Sequence, residues 1–329
     1  MKADNASPWW RGRYDATVSD RFDVLLPLGP GETEVERARD LVAALSHYEP
    51  GPWRLTVVDD DQGNDRGLAE TLGDVPGGCE VVSVTHKHDF AQRRWFVDGD
   101  GRFICGTTMT GLAAIAADVG RFVLKLDSDA LVIGGFSDRV AAKLTGDVGL
   151  VGACTRTPTG TVRDISMHAG YVRRTHRPKV THFTPGSLRQ WYRDRGDPVL
   201  RPVRLAMDAA LASGYQPGEH ALGGALAIRG EVLTRLASRG WLDVAAWEGL
   251  DWSEDVMIGM LVKAAGFTHA DAVAAGEPFG VKFQGLPMPP AELAEKGYAL
   301  IHAVKNDDVP EEEIRAFFRE RREGALVPA

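Results

Sequence analysis

The chain has 329 residues, 44% of them hydrophobic and 26% charged, which is typical of a globular protein with a sizeable core. The length allows one large domain or two modest ones. The net charge of −8 argues against a general nucleic-acid binder, because such a protein needs a broad basic face.

The cysteine content and the N-terminal sequence bear on the cellular compartment. Cys79, Cys105 and Cys154 form neither a disulfide framework nor a zinc spacing, so we expect a reducing environment. The first 21 residues lack the apolar segment of a signal peptide, and no stretch of the chain is apolar enough to span a membrane. The sequence therefore predicts a cytoplasmic protein without a membrane span.

Strand and helix patterns alternate along the chain. Apolar runs predict strands at 22–28, 53–61, 79–85, 122–126 and 147–154. Helical spacing predicts helices at 31–48 and 107–119, the first with Thr33 and Glu36 placed as a capping box. The second half predicts a helix at 203–213, a glycine-led strand and a helix within 223–241, a helix from Ser253 to near Gly266, and a last helix at 310–323. Strands that alternate with helices predict an α/β fold, with a mainly parallel sheet flanked by helices.

Residues 155–205 differ in character from the rest of the chain. They contain 11 Lys or Arg and 3 Asp or Glu, a net charge of +8, so the remaining residues carry −16. We expect a single domain with an N-terminal extension at 1–20, a first half at 21–154, this basic insertion at 155–205 and a second half at 206–329. The insertion is either a solvated surface excursion or a flap over a binding site, since long loops in compact domains often form lids.

Two of the predicted strands end in carboxylates. Asp127 and Asp129 directly follow the run at 122–126, and the strand at 53–61 ends in three further aspartates. In open α/β sheets, ligands bind outside the carboxyl ends of the strands. Neighbouring carboxylates at the edge of a core repel each other, so we expect a positive partner, such as Mg²⁺ or Mn²⁺ that bridges to substrate phosphates. The alternative is that "DSD" is a polar turn that closes a strand.

Three motifs, taken in order, resemble a known class of enzymes. "LDSDALV" (126–132) is followed by "YQPGEHALGGALAIRG" (215–230) and then by "EDVMIG" (254–259). Their order and spacing resemble the GT-A glycosyltransferases, which use nucleotide sugars and have a Rossmann-like sheet. Within that superfamily, the inverting β-1,3-glycosyltransferase and fringe group is the most similar in motif order. The resemblance covers roughly 120–266, and residues 155–205 have no counterpart in it, so the acceptor stays open.

The resemblance implies a metal site and a general base. Asp129 would be the main ligand of Mn²⁺ or Mg²⁺, Asp127 would lie near the metal or the ribose, and His302 would add the last ligand. Asp255 would deprotonate the acceptor hydroxyl, with Glu254 beside it. The competing interpretations are that acids in a first helical turn are favoured by the helix dipole, and that a lone histidine is a packed core or surface residue.

The resemblance also implies a donor site, with 21–154 as the nucleotide-sugar-binding half and 206–329 as the catalytic and acceptor half. The donor would contact strand ends and a glycine pair, namely Pro27, Leu28, Gly29, Asp59, Asp60, Asp61, Lys125, Asp127, Ser128, Gly223 and Gly224. Trp247 and Trp252 are candidates for stacking on an acceptor sugar. The competing interpretations are a solvated acidic turn for the aspartates, tight packing for the glycines and core packing for the tryptophans.

These roles together imply a metal-dependent inverting glycosyltransferase. It would move a sugar from a nucleotide diphosphate sugar, by family habit a UDP-sugar, to the hydroxyl of a small-molecule or glycan acceptor, an anionic one included. A first alternative is a sugar-phosphate nucleotidylyltransferase, although "LLPLGPGETEVERA" (25–38) lacks the lysine of such a nucleotide loop. A second is a catalytically silent module that binds nucleotides or carbohydrates. A glycoside hydrolase also uses two carboxylates, but it needs no metal–diphosphate site.

Overall fold

The computed structural model describes residues 20–60, 64–87, 104–176, 198–248, 250, 252–305 and 307–324. Its main feature is a seven-stranded sheet in the order β3-β2-β1-β4-β7-β6-β8. These strands are β1 (Phe22–Leu28), β2 (Trp53–Asp59), β3 (Glu80–Thr85), β4 (Phe122–Leu126), β6 (Val148–Gly152), β7 (Ala225–Arg229) and β8 (Thr268–Asp271). All neighbours are parallel except β7, which is antiparallel to both β4 and β6.

Helices pack on both faces of this sheet. The helices of the described residues are α1 (Glu32–Tyr48), α2 (Leu68–Thr71), α3 (Ile104–Ala116), α4 (Ser137–Lys143), α5 (Ser166–His176), α6 (Arg201–Ala212), α7 (Gly230–Ser238), α8 (Val244–Trp247), α9 (Glu254–Ala264), α10 (Pro290–Glu295) and α11 (Glu311–Arg322). The predicted α/β fold, a mostly parallel sheet flanked by helices, is therefore confirmed.

The central strands explain why the sequence shows near-continuous apolar runs. Every residue of β4 is buried, and β1 is buried apart from one partly exposed position. Leu25 and Val123 belong to the core on one face of the sheet, whereas Leu26 and Leu124 belong to the core on the other. A strand covered on both faces needs apolar residues at successive positions, in contrast to the alternation of a half-exposed strand.

A second, three-stranded sheet brings the end of the chain to the end of β4. It has the order β5-β10-β9, with β5 (Leu131–Val132), β9 (Phe279–Val281) and β10 (Leu300–His302). Because β5 begins two residues after Asp129 and Ile301 pairs with Leu131, the last residue of β10 lies beside the carboxylates. Val304 N donates to Asp129 O at 3.2 Å, which ties the chain after β10 to the same point.

The structure corrects several predicted boundaries. Helix α1 begins at Glu32 with Gly31 at the N-cap and no side-chain capping bond, so the capping box of Thr33 and Glu36 is wrong, because both residues already lie inside the helix. The second strand ends at Asp59 and the third begins at Glu80. Ser253 does occupy the N-cap position of α9, but its hydroxyl makes no capping bond.

The basic segment is described in two parts. Residues 155–165 form a turn with a bridge between Arg156 and Val162, and α5 follows. Residues 177–197 lie outside the described residues, and the segment ends in the first turns of α6. Cys79, Cys105 and Cys154 form no disulfide. Within the described ranges, none of the helices combines the length and the apolar character that crossing a membrane requires.

Candidate functional site

The carboxyl end of β4 carries two carboxylates in different surroundings. Asp127 is partly exposed, and its Oδ1 accepts a hydrogen bond from Lys125 Nζ at 2.5 Å. Asp129 is 1% exposed, and neither of its carboxylate oxygens hydrogen-bonds to any residue that the structure describes. Burying a carboxylate without hydrogen bonds is costly, so Asp129 depends on charges nearby.

His302 and Lys305 supply those charges. His302 Nε2 lies 3.3 Å from Asp129 Oδ1 and 3.6 Å from Asp127 Oδ2, and Lys305 Nζ lies 3.5 Å from Asp129 Oδ2. Burial alone would raise the pKa of Asp129, but His302 and Lys305 lower it to about 2. Burial would lower the pKa of His302, yet the two aspartates raise it. Asp129 is therefore ionised at neutral pH.

A hydrogen bond fixes the orientation of the His302 ring. Nδ1 donates to Lys282 O at 3.0 Å, and this bond directs Nε2 at the two carboxylates. Metal-binding histidines commonly have this arrangement, in which one ring nitrogen bonds to a carbonyl oxygen and the other faces the ligand. The ring is thus placed by the backbone of the three-stranded sheet.

Asp127, Asp129 and His302 have the chemistry to hold a divalent cation. One ligand atom from each lies within 4.8 Å of the others, and among the described residues this is the one group of three that meets this condition. Carboxylate oxygens suit Mg²⁺ and Mn²⁺, and an imidazole nitrogen in the set favours the transition metal. An ion here would satisfy the unbonded oxygens of Asp129, so the residues fit such a group.

The positive partner expected beside the carboxylates is Lys125. Its ammonium is fully buried and donates to Asp127 Oδ1 at 2.5 Å, to Glu254 Oε1 at 2.8 Å and to Gly223 O at 2.8 Å. Burial would lower the pKa of Lys125, but the charges of Asp127 and Glu254 outweigh it and raise that pKa. All three N–H groups have acceptors, which favours a buried counter-ion over a contact with a donor molecule.

The glycine pair before β7 makes room for side chains of the site. A Cβ on Gly224 would lie 2.1 Å from the His302 ring, and a Cβ on Gly223 would lie 2.5 Å from Glu254 Oε1. Any larger residue would displace these groups. Of the two interpretations in the sequence, tight packing describes these contacts, and the packing is against the site residues themselves.

Asp255 lies in the first turn of α9, next to the buried Glu254. Its side chain is 13% exposed; Oδ1 accepts from the N–H of Val256 at 2.8 Å, and Oδ2 lies 3.5 Å from His220 Nε2. Burial would raise the pKa of Asp255, but the charge that His220 carries when it is protonated, hydrogen bonds and Lys125 lower it. The pKa of Glu254 is instead raised, chiefly by burial. Asp255 is therefore the ionised and more accessible carboxylate of the pair.

At the end of β2, the carboxylate of Asp59 pairs with an arginine from the loop that follows the strand. Arg66 donates from its Nε and NH2 to Asp59 Oδ1 at 2.9 and 2.6 Å, and NH2 also bonds to Gly29 O at 3.1 Å. Asp60 Oδ2 accepts from Thr107 Oγ1 at 3.1 Å. Asp61 lies outside the described residues. The carboxylate of Asp59 thus already has a partner at this edge.

The remaining donor and acceptor candidates are placed as follows. Leu28 is fully buried, whereas Pro27 and Gly29 beside it are partly exposed at the end of β1. Ser128 presents its carbonyl oxygen to Arg315 NH2 at 3.3 Å. Both tryptophans are buried, and Trp247 donates its indole N–H to Trp241 O. Burial favours core packing over sugar stacking for Trp247 and Trp252.

Three site residues were missed in the sequence. Lys305 reaches Asp129, and Arg163 and His220 lie beside Asp255. Lys305 follows His302 by three residues, and that spacing is the one signal that could have found it. Nothing local distinguishes Arg163 from the other ten cations of the basic segment, or marks His220 within its loop.

No family model matches this chain, and no relative is found among curated proteins. Among solved structures, the chain is similar to the galactosyltransferase LgtC in complex with donor and acceptor sugar analogs, at 14% identity and a TM-score of 0.46 over 93% of this chain and 98% of that one. It is similar to mouse xyloside xylosyltransferase 1, at 13% identity and a TM-score of 0.37 over 73% and 82% of the chains.

A mannosyltransferase from Pyrobaculum calidifontis in complex with GDP-Man and Mn²⁺ has 16% identity and a TM-score of 0.36, over 81% of this chain and 60% of its own. The TM-scores of all three enzymes lie below 0.5, so the ligands in those structures are ligands of those enzymes and are not assigned to this chain.

Proposed function

We propose that this chain is a metal-dependent glycosyltransferase of the GT-A class that moves a sugar from a nucleotide diphosphate sugar to a hydroxyl acceptor. The observation that carries the proposal is the convergence of Asp127, Asp129 and His302, in which a buried carboxylate without hydrogen bonds faces an oriented imidazole. By motif order we place the enzyme with the inverting β-1,3-glycosyltransferase and fringe group, and we take UDP as the nucleotide.

Asp127, Asp129 and His302 would hold Mn²⁺ or Mg²⁺, which when bound neutralises the diphosphate of the donor. Lys305, 3.5 Å from Asp129, adds a fixed positive charge on the same side. The buried Lys125 keeps Asp127 and the start of α9 at a constant separation, since it bonds to both Asp127 and Glu254. This connection would hold the metal ligands and the base at fixed relative positions.

Asp255 would act on the acceptor. Its carboxylate takes the proton of the acceptor hydroxyl while that oxygen forms a bond to the anomeric carbon of the donor sugar. The bond from the anomeric carbon to the diphosphate oxygen breaks, and its electron pair leaves with the nucleoside diphosphate. A single displacement of this kind inverts the anomeric configuration. The lowered pKa of Asp255 and its partial exposure support it over Glu254.

The first experiment tests the metal. Calorimetry with UDP should show binding that needs Mn²⁺ in the wild-type protein and is lost in Asp129→Ala, with a smaller loss in His302→Ala. Asp138→Ala, at the start of α4, is a matched control because its carboxylate is 97% exposed. UDP affinity that is the same with and without Mn²⁺ would contradict the proposed site.

The second experiment tests the base. Asp255→Asn keeps the shape of the side chain and removes the proton acceptor, so release of UDP from UDP-sugars should fall about 10²- to 10⁴-fold while UDP–Mn²⁺ binding persists. Asp243→Asn, an exposed N-cap residue of α8, is the control. Normal turnover in Asp255→Asn would remove it from the mechanism. UDP–Mn²⁺ binding by wild-type protein that consumes no nucleotide sugar would instead indicate the silent binding module.

A further inference from the structure

The first part of the basic segment is joined to the site through one arginine. Arg163 NH1 lies 2.6 Å from Ala153 O, 2.9 Å from Cys154 O and 2.7 Å from His220 O. Its NH2 lies 2.7 Å from His220 Nε2. A guanidinium that bonds to three backbone carbonyls is fixed in position, so its contact with His220 is a constant feature of the fold.

These contacts determine the protonation state of His220. Its Nδ1 lies 2.7 Å from Gly218 O, and a carbonyl only accepts, so Nδ1 carries the proton. A guanidinium only donates, so Nε2 must be the acceptor from Arg163. His220, which is 1% exposed, is therefore the neutral tautomer with its Nε2 lone pair occupied. Burial lowers the pKa of His220 and the charge of Arg163 lowers it further, whereas Asp255 raises it.

The neutral state of His220 determines which hydrogen bonds Asp255 can form. Its Oδ2 lies 3.5 Å from His220 Nε2, close enough for an ion pair if that nitrogen were protonated. Because Nε2 carries no proton, it offers Oδ2 no hydrogen bond, and the carboxylate keeps its lone pairs for a substrate hydroxyl. We infer that Arg163 and His220 are positioning residues for the general base: Arg163 holds His220 in its neutral form, and so keeps Asp255 from being tied in an ion pair. This inference rests on the proposed function, in which Asp255 is the base.

Other titratable groups surround this trio and bear on any pH effect. The ring of His168 on α5 meets the ring of His220 edge-on, with centroids 4.7 Å apart. Glu219, the residue before His220, lies 3.3 Å from Lys263 and 3.4 Å from His269. Tyr215, Glu254 and Lys125 lie near Asp255, and the charges near Arg163 are those of Asp255 itself, Cys154 and Asp271.

Removal of the guanidinium should release the imidazole. In Arg163→Met the Nε2 of His220 would be free to take up a proton, and the nearby Asp255 would draw the pKa of His220 upward from its lowered value. Below that pKa the imidazolium would pair with Asp255 and weaken the base. Turnover would then fall as the pH falls through this raised pKa of His220.

The first test needs no substrate. In the wild-type protein labelled with ¹⁵N at histidine, the correlations of His220, assigned by their loss in His220→Gln, should show the neutral Nδ1–H form from about pH 8 to about pH 6. In Arg163→Met the same ring should take up a proton at a higher pH than in the wild-type protein. A wild-type His220 that carries its proton on Nε2, or that is charged at pH 7, would overturn the inference, and this result stands even if Arg163→Met does not fold.

The second test measures turnover of a UDP-sugar against pH. Arg163→Met should lose about tenfold in kcat one pH unit below the new pKa and recover above it, since only about one base in ten is then unpaired. The double variant Arg163→Met/His220→Gln should lose this acid limb, and Arg156→Met, an exposed arginine of the same segment, should behave as wild type. Affinity for UDP and Mn²⁺ should not change in any of them.

The experiments distinguish a failure of the proposed function from a failure of the role of Arg163. Full turnover in Asp255→Asn would contradict the proposed function, while the histidine spectra would still report the state of His220. A large loss of turnover in Asp255→Asn together with a wild-type pH profile in Arg163→Met would leave the base in place and overturn the role of Arg163. An acid limb in the double variant would show that His220 is not the titrating group, which also overturns the inference.

Discussion

Two buried aspartates at opposite ends of the large sheet differ in their hydrogen-bond partners. Asp23, at the start of β1, is 0% exposed; it accepts from Arg54 Nε at 2.8 Å and from Gly120 N at 2.6 Å, with Arg21 at 3.6 Å. Asp129, past the end of β4, is as deeply buried but has no hydrogen bond among the described residues. One carboxylate holds chain segments together, whereas the other would hold a cation in the proposed function.

The cost of burial is visible even where the partners are complete. Burial raises the pKa of Asp23, and the hydrogen bond from Gly120 and the charges of Arg54 and Arg21 reduce this effect without reversing it. The amino-end network is thus a compensation for a buried charge, and a buried ion pair of this kind is poor evidence of net stabilisation. The largest loss of stability in this network is expected when one partner of Asp23 is removed and the carboxylate stays buried.

The largest expected effect is therefore at the amino end. Arg54→Met leaves Asp23 buried with Arg21 and Gly120 alone, and the free energy of unfolding should fall by about 3 kcal/mol at pH 7. The pKa of Asp23 in the folded state is raised above its unfolded value and would rise further in the variant, so the fold favours the protonated form more than the unfolded chain does. Stability is then lost as the pH rises through the folded pKa, so the deficit should be smaller at pH 4.

Urea denaturation at the two pH values measures this deficit, and Arg39→Met is a matched control because Arg39 pairs with the exposed Glu32 and Glu36 on α1. Mn²⁺ affinity should be unchanged in Arg54→Met, since the carboxyl end is not touched. A deficit that grows toward pH 4, or a coupled loss of Mn²⁺ binding, would contradict the division between the two ends.

The fold could be predicted from the sequence because its central strands are buried on both faces. Near-continuous apolar runs such as 122–126 are typical of such strands, and their alternation with helical periods indicates the layers. The antiparallel β7 was not specified, because the direction of a strand depends on where its connection crosses the sheet and not on the residues within it. The predicted capping box is wrong because the helix begins at Glu32, so Thr33 already lies in its first turn.

The site could be predicted only in part. Asp127 and Asp129 are legible because charges that interrupt a buried strand are unusual, and His302 was found through the resemblance. The role of Lys125 as a buried counter-ion was not legible, because it depends on Glu254 coming from a helix 129 residues away. Arg163 and His220 act through contacts of the same long-range kind, and no local pattern encodes them.

The second prediction concerns the packing behind the metal ligands. A Cβ on Gly224 would lie 2.1 Å from His302 Cγ and Nδ1, so Gly224→Ala must displace the ring. We expect Mn²⁺ affinity to fall about 10- to 100-fold, the scale of changes to groups that support a ligand. Gly134→Ala is the control, since its Cβ would meet nothing nearer than 3.7 Å. Titration with Mn²⁺ decides, and an affinity equal to that of the control would mean that His302 does not bind the ion.

The smallest effect should be at the rim of the amino-end network. The Asp118 carboxylate pairs with Arg21 at 3.0 Å and Arg54 at 3.4 Å, the same cations that serve Asp23, but its side chain is 70% exposed. Asp118→Asn should therefore cost no more than about 1 kcal/mol, and Arg54 keeps its bond to the backbone carbonyl of residue 118 at 2.6 Å. The cost should vanish in about 1 M salt, where the screening length is about 3 Å. A loss above about 2 kcal/mol, or one that salt does not change, would contradict this expectation. It would show that the contribution of a carboxylate to stability at this end of the sheet depends on its ion pairs and not on its burial.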